Sequence, residues 1–150
     1  MNFRQISTAL ISGLLLAFLY YWLVVEFVGY SAAMAAPKWV LSIGHRTPTL
    51  LTWTEALNTA AMAAAALLSA LAARLVFGSR ALMVAGSGAV AAAIYGLMSG
   101  LRAVDWSHMH VSFTVWFVAD YVKMAVLPVL LVLALRGWPS NTRWSEPRHE

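Results

Sequence analysis

Four runs of apolar residues divide this chain, each close to or above the ~20 residues that a helix needs to cross a hydrocarbon layer. They cover approximately residues 6–28, 53–76, 81–101 and 113–135. A run of that length in lipid must satisfy its own backbone hydrogen bonds, which a helix does. Composition argues against a water-soluble helical domain. With 61% hydrophobic and 11% charged residues in 150, there is too little charge to cover a soluble surface. The expected fold is an all-α membrane protein, a four-transmembrane-helix antiparallel bundle occupying residues 1–135. Residues 136–150 read as a polar flexible tail, with two prolines, three arginines and no apolar periodicity.

The first run is expected to stay as a span. Ala33-Met34-Ala35 has the small-x-small form of a signal cleavage site. The run before it is far longer than a signal core, and it contains Tyr20, Tyr21, Trp22 and Glu26. Residues 29–52 form the longest connection, flanked by Trp39 and Trp53, ring types that favour the headgroup level. Within it, residues 38–43 are expected to lie along the membrane surface. Phe77-Gly78-Ser79-Arg80 reads as a tight turn that makes the second and third runs antiparallel neighbours. The third run carries a small-residue stripe, Ala92, Gly96 and Gly100, expected to pack against the second. In the last run Pro128 cannot donate to the carbonyl of Met124, so a kink is expected there.

Basic residues set the orientation. Four spans put both termini on one side with Arg4, Arg74, Arg80, Arg136, Arg143 and Arg148. Only Lys38, Arg46 and Arg102 fall on the other. The excess places both termini in the cytoplasm, with the two longer loops outside. In a bacterial cell this is a multi-pass protein of the inner membrane. The net charge of +4 is thereby explained by topology, and no nucleic-acid partner is expected.

The polar residues within the runs gather at one depth. Glu26 is near the outer end of the first run, and Glu55 and Asn58 open the second. Tyr95, Ser99 and Arg102 climb one face of the third; Asp120 and Lys123 lie two to three turns inside the fourth. A lone charge at mid-membrane costs at least ~2.5–3.5 kcal/mol, so these groups are expected to face one another. Lys123 is the deepest, and Asp120 shares its helix face at i, i−3. Another carboxylate or carbonyl from a second span is a further candidate partner. Glu26 and Glu55 are expected to meet Arg102.

Chemistry-bearing motifs are sparse. Asp105, His108 and His110 are weak metal candidates, because they lack the i, i+4 spacing of a helical zinc site. The chain has no cysteine, no phosphate loop and no serine-nucleophile motif, so no cofactor and no catalytic residue are assigned. No internal repeat supports an inverted-repeat transporter. Three readings follow. The first is a non-catalytic accessory, assembly or regulatory subunit in contact with the lipid bilayer and a larger membrane protein or further copies of itself. The second is a small-solute or proton-coupled transporter using Asp120 and Lys123. The third is an enzyme acting on a lipid or quinone at the outer interface.

Overall fold

A computed structural model describes residues 3–43, 46–103 and 111–135; the predicted tail, 136–150, lies outside them. The described residues are helical, with no strand. The helices are α1 (Phe3–Ala32), the short α2 (Lys38–Leu41), α3 (Arg46–Phe77), α4 (Ala81–Ala103) and α5 (Val111–Ala134). Three helical stretches among the described residues are long and apolar enough to cross a membrane: Ile6–Ala32, Pro48–Ala103 and Thr114–Ala134. The second holds both α3 and α4, joined by a 3-10 turn at Gly78–Arg80. Their outward faces are apolar: Phe18 is 78% exposed and Val76 72% exposed. Lipid solvates such faces, whereas water would penalise them.

Local chemistry explains the boundaries. α3 starts seven residues before the expected position 53. Pro48 falls in its first turn, where a missing N–H removes no intrahelical bond. Thr52 and Thr54 then donate back to the carbonyls of Pro48 and Leu50, both at 2.9 Å. α3 stops at Gly78, whose φ of 52° is the left-handed conformation that ends helices and suits glycine. α2 follows Pro37 and buries Val40 completely. Beside it, the Trp39 and Trp53 rings meet edge to face at 5.6 Å, tying α2 to the start of α3.

Paired positions give the helix directions. Gly13 lies against Val84 and Ser87, and Tyr21 against Tyr95, so α1 and α4 run the same way. Gly86 faces Val129, while Gly100 faces Phe117 and Tyr121, so α5 runs opposite to α4. α1 packs most extensively on α4 and α3, and α5 on α4 and α3. The contact between α3 and α4 is smaller, despite the tight turn that joins them. The centre is buried and built from small residues with a few large ones, including Ala65, Ala66, Ala89, Ala92, Tyr20 and Met124.

The small stripe on α4 has a different partner from the one expected. Ala92 joins the buried core with Met62, Ala65 and Ala66 of α3. Gly96 and Gly100, however, lie against Tyr121 and Phe117 of α5, with Tyr21 of α1 also touching Gly96. A glycine leaves space without specifying what fills it, and here aromatic rings do. The close approach of two backbones occurs elsewhere. A Cβ on Gly88 would come within 2.8 Å of the carbonyl oxygen of Gly13, across the α1–α4 contact.

α5 continues through Pro128, whose side chain is fully buried. The proline leaves the carbonyl of Met124 without its helical donor. Tyr20 of α1, 1% exposed, donates its hydroxyl to that carbonyl at 3.0 Å. This bond restores what the proline removes and locks α1 to α5. Tyr20→Phe should therefore destabilise the detergent-solubilised protein by about 1–3 kcal/mol, the usual effect of stranding a buried acceptor. Thermal unfolding followed by circular dichroism measures it. A melting temperature equal to the parent's would mean the carbonyl is satisfied otherwise.

Candidate functional site

One charged cluster sits inside the bundle, between α3 and α5. Lys123 Nζ lies 2.8 Å from Asp120 Oδ1, its neighbour one turn earlier on α5. It also donates to Glu55 Oε1 of α3, and to Thr59 Oγ1 at 3.2 Å. Thr59, one turn after Glu55, in turn lies 3.5 Å from Glu55 Oε1. An ammonium has three N–H donors, and three side chains supply the oxygens around it. The Glu55, Asp120 and Lys123 side chains are each between 22% and 26% exposed. With all three ionised, the cluster carries one net negative charge.

The helices explain why these groups meet. Glu55 and Thr59 are four apart and share a face of α3; Asp120 and Lys123 are three apart and share a face of α5. Nearby, Ser31 Oγ of α1 lies 2.8 Å from Val28 O and 3.0 Å from Asn58 Oδ1. One hydroxyl proton serves only one of these acceptors at a time. Ser31 is 7% exposed, so this contact fastens the end of α1 to α3 from within. Below the cluster come the buried Met62, Ala65, Ala66 and Met124.

Asp120 also lines a cavity of about 400 Å³ between α1 and α5. Tyr21, Val24 and Val28 form its α1 wall, and Phe117 and Tyr121 its α5 wall. The Phe117 and Tyr121 rings meet edge to face at 5.1 Å. Met62 and Met124, both buried, line it from the core side.

Other residues expected at the site are elsewhere. Tyr95, Ser99 and Arg102 are exposed on α4 and do not reach Lys123. The inward side of that helix is taken by Ala92, Ala93 and Gly96. Tyr95 instead packs its ring on Tyr21, at 5.0 Å between centroids. Glu26 is partly buried on α1 and forms no ion pair with Arg102 among the described residues. Glu55 is taken by Lys123 instead. Arg102 is at the end of its helix, where the long side chain can reach headgroups without a protein partner. The weak metal candidates Asp105, His108 and His110 lie outside the described residues.

Thr59 and Ser31 were not singled out in the sequence, and Tyr20 was noted only as one of the polar rings within the first run. Thr59 had a legible signal, its i, i+4 spacing from Glu55. Tyr20 had one too, since Pro128 demands a donor for Met124, though nothing in the sequence says which hydroxyl supplies it. Comparison of the chain with family models, with characterised proteins and with solved structures finds no match.

Proposed function

We propose that this chain is a four-span protein of the cell membrane, with α1, α3, α4 and α5 as separate spans and both termini cytoplasmic. In a bacterial cell it belongs to the inner membrane. Its function is that of a non-catalytic accessory or regulatory subunit, with a polar site in the outer half of the bundle. The observation that supports this reading is the closed packing beneath the Glu55–Asp120–Lys123 cluster. A carrier needs polar groups leading away from its site on both sides. Among the described residues the buried polar side chains are Ser31, Ser69 and Tyr20, whose hydroxyl is taken by the Met124 carbonyl, and Ala65, Ala66 and Ala70 are fully buried around Ser69 in α3. The site therefore serves one side of the membrane, as a subunit that binds and reports would require.

The test is isolation of the tagged chain from its own membrane in mild detergent, at native expression level. It should migrate with a larger membrane protein. Reporters fused at Gly44 and at the C-terminus should read opposite sides of the membrane. A particle no larger than the chain and its detergent, with solute flux in proteoliposomes, would contradict the subunit reading and support the carrier.

A further inference from the structure

The cavity beside Asp120 combines three features. It is walled by the aromatic rings of Tyr21, Phe117 and Tyr121, lined by a carboxylate, and of a volume suited to a small organic molecule. The carboxylate belongs to a cluster in which two acids share one lysine. Within a medium of low dielectric constant, that unbalanced negative charge attracts a monovalent cation strongly. Aromatic faces add to the attraction for an organic ammonium and do little for a neutral molecule.

We propose that this cavity binds a small hydrophobic ammonium, with its charge at Asp120 and its apolar body against Tyr21, Phe117 and Tyr121. The bound cation completes the neutrality of the Glu55–Asp120–Lys123 cluster. The gap between α1 and α5 is the entry, and Gly29 stands beside it. Gly29 lines the cavity, and a Cβ built there meets nothing within 4 Å. The mouth of the cavity is open at that position. The site needs neither a partner subunit nor the topology proposed above, because binding is measured on the isolated chain.

The experiment is calorimetric titration of the full chain in a non-ionic detergent, with phenethylammonium and its uncharged counterpart phenethyl alcohol. The ammonium should bind saturably, and the alcohol at least roughly tenfold more weakly. Asp120→Asn should weaken the ammonium about tenfold while leaving the alcohol unchanged. Phe117→Leu, which removes an aromatic face from the cavity wall and leaves the charged cluster intact, should weaken the ammonium about threefold and the alcohol less, so the proposal is tested even if Asp120→Asn folds poorly. Equal affinity for ammonium and alcohol would show an apolar crevice that takes any lipid-like molecule, and would overturn the proposal. So would the absence of saturable ammonium binding to the parent, or parental ammonium affinity in Phe117→Leu.

Discussion

Lys123→Met should destabilise the bundle by about 3 kcal/mol or more, the largest effect expected of any single change in the charged cluster. The substitution preserves the length and apolar stem of the side chain, so the loss isolates the charge. It leaves Glu55 and Asp120 unbalanced at one depth, with no cation between them. Asp120→Asn should be the mildest change, because Glu55 and Lys123 remain as a neutral pair. Glu55→Gln should fall between the two, since it severs the contact between α3 and α5 but keeps the pair within α5. Neutralising all three together should recover much of the stability lost in Lys123→Met, as buried ion clusters often contribute little net stability over neutral packing. Unfolding in detergent, followed by circular dichroism, ranks the four variants. An Asp120→Asn as unstable as Lys123→Met would show that charge balance does not govern the cluster.

Gly88→Leu should be comparably damaging through packing alone. The nearest obstacles to a side chain there are backbone atoms, the carbonyl oxygen of Gly13 at 2.8 Å and the amide nitrogen of Ala17 at 3.4 Å. Backbone cannot rotate aside, so α1 must move away from α4. Overpacking typically costs about 1–3 kcal/mol, and this change belongs at the top of that range because nothing flexible can yield. Gly13→Ala is the control across the same contact. Its added methyl meets the Ser87 hydroxyl first, the end of a side chain that can turn away, and then the Ser87 Cβ and the Val84 carbonyl oxygen, both at 3.2 Å, which a small shift of the helices relieves. Size-exclusion chromatography of the two variants should show a folded peak for Gly13→Ala and little or none for Gly88→Leu. A normal peak from Gly88→Leu would mean α1 and α4 do not approach as closely there.

The helical character was legible because lipid leaves few alternatives to a helix over twenty apolar residues. Asp120 and Lys123 were legible as a pair because i, i+3 spacing is a local property of one helix. Glu55 as the second acid was not. Its partner across the bundle depends on which helices are neighbours and how each is rotated, and hydropathy encodes neither. The same ignorance produced the expectations that did not match the structure. Tyr95, Ser99 and Arg102 were read as inward-facing by their polarity, whereas the small residues on the opposite side of α4 admit the aromatic rings of α5. The tight turn at Gly78 fixes where α3 and α4 meet at their ends, but it leaves their packing further along to the other helices. Pro128 shows the intermediate case. The sequence identifies the Met124 carbonyl as an open acceptor, and only the fold shows Tyr20 reaching it.

The contact between Glu55 and Lys123 is the feature on which the site depends, and a charge-exchange cycle measures it. Glu55→Lys places two lysines beside one aspartate, and Lys123→Glu places three acids together. Each alone should lower the melting temperature and the folded yield. The double exchange restores the original charge count at the same pair of positions, and it should recover at least about 1.5 kcal/mol relative to the sum of the single losses. A double variant no more stable than that sum would mean that Glu55 and Lys123 do not touch, and that the cluster joining α3 to α5 does not exist.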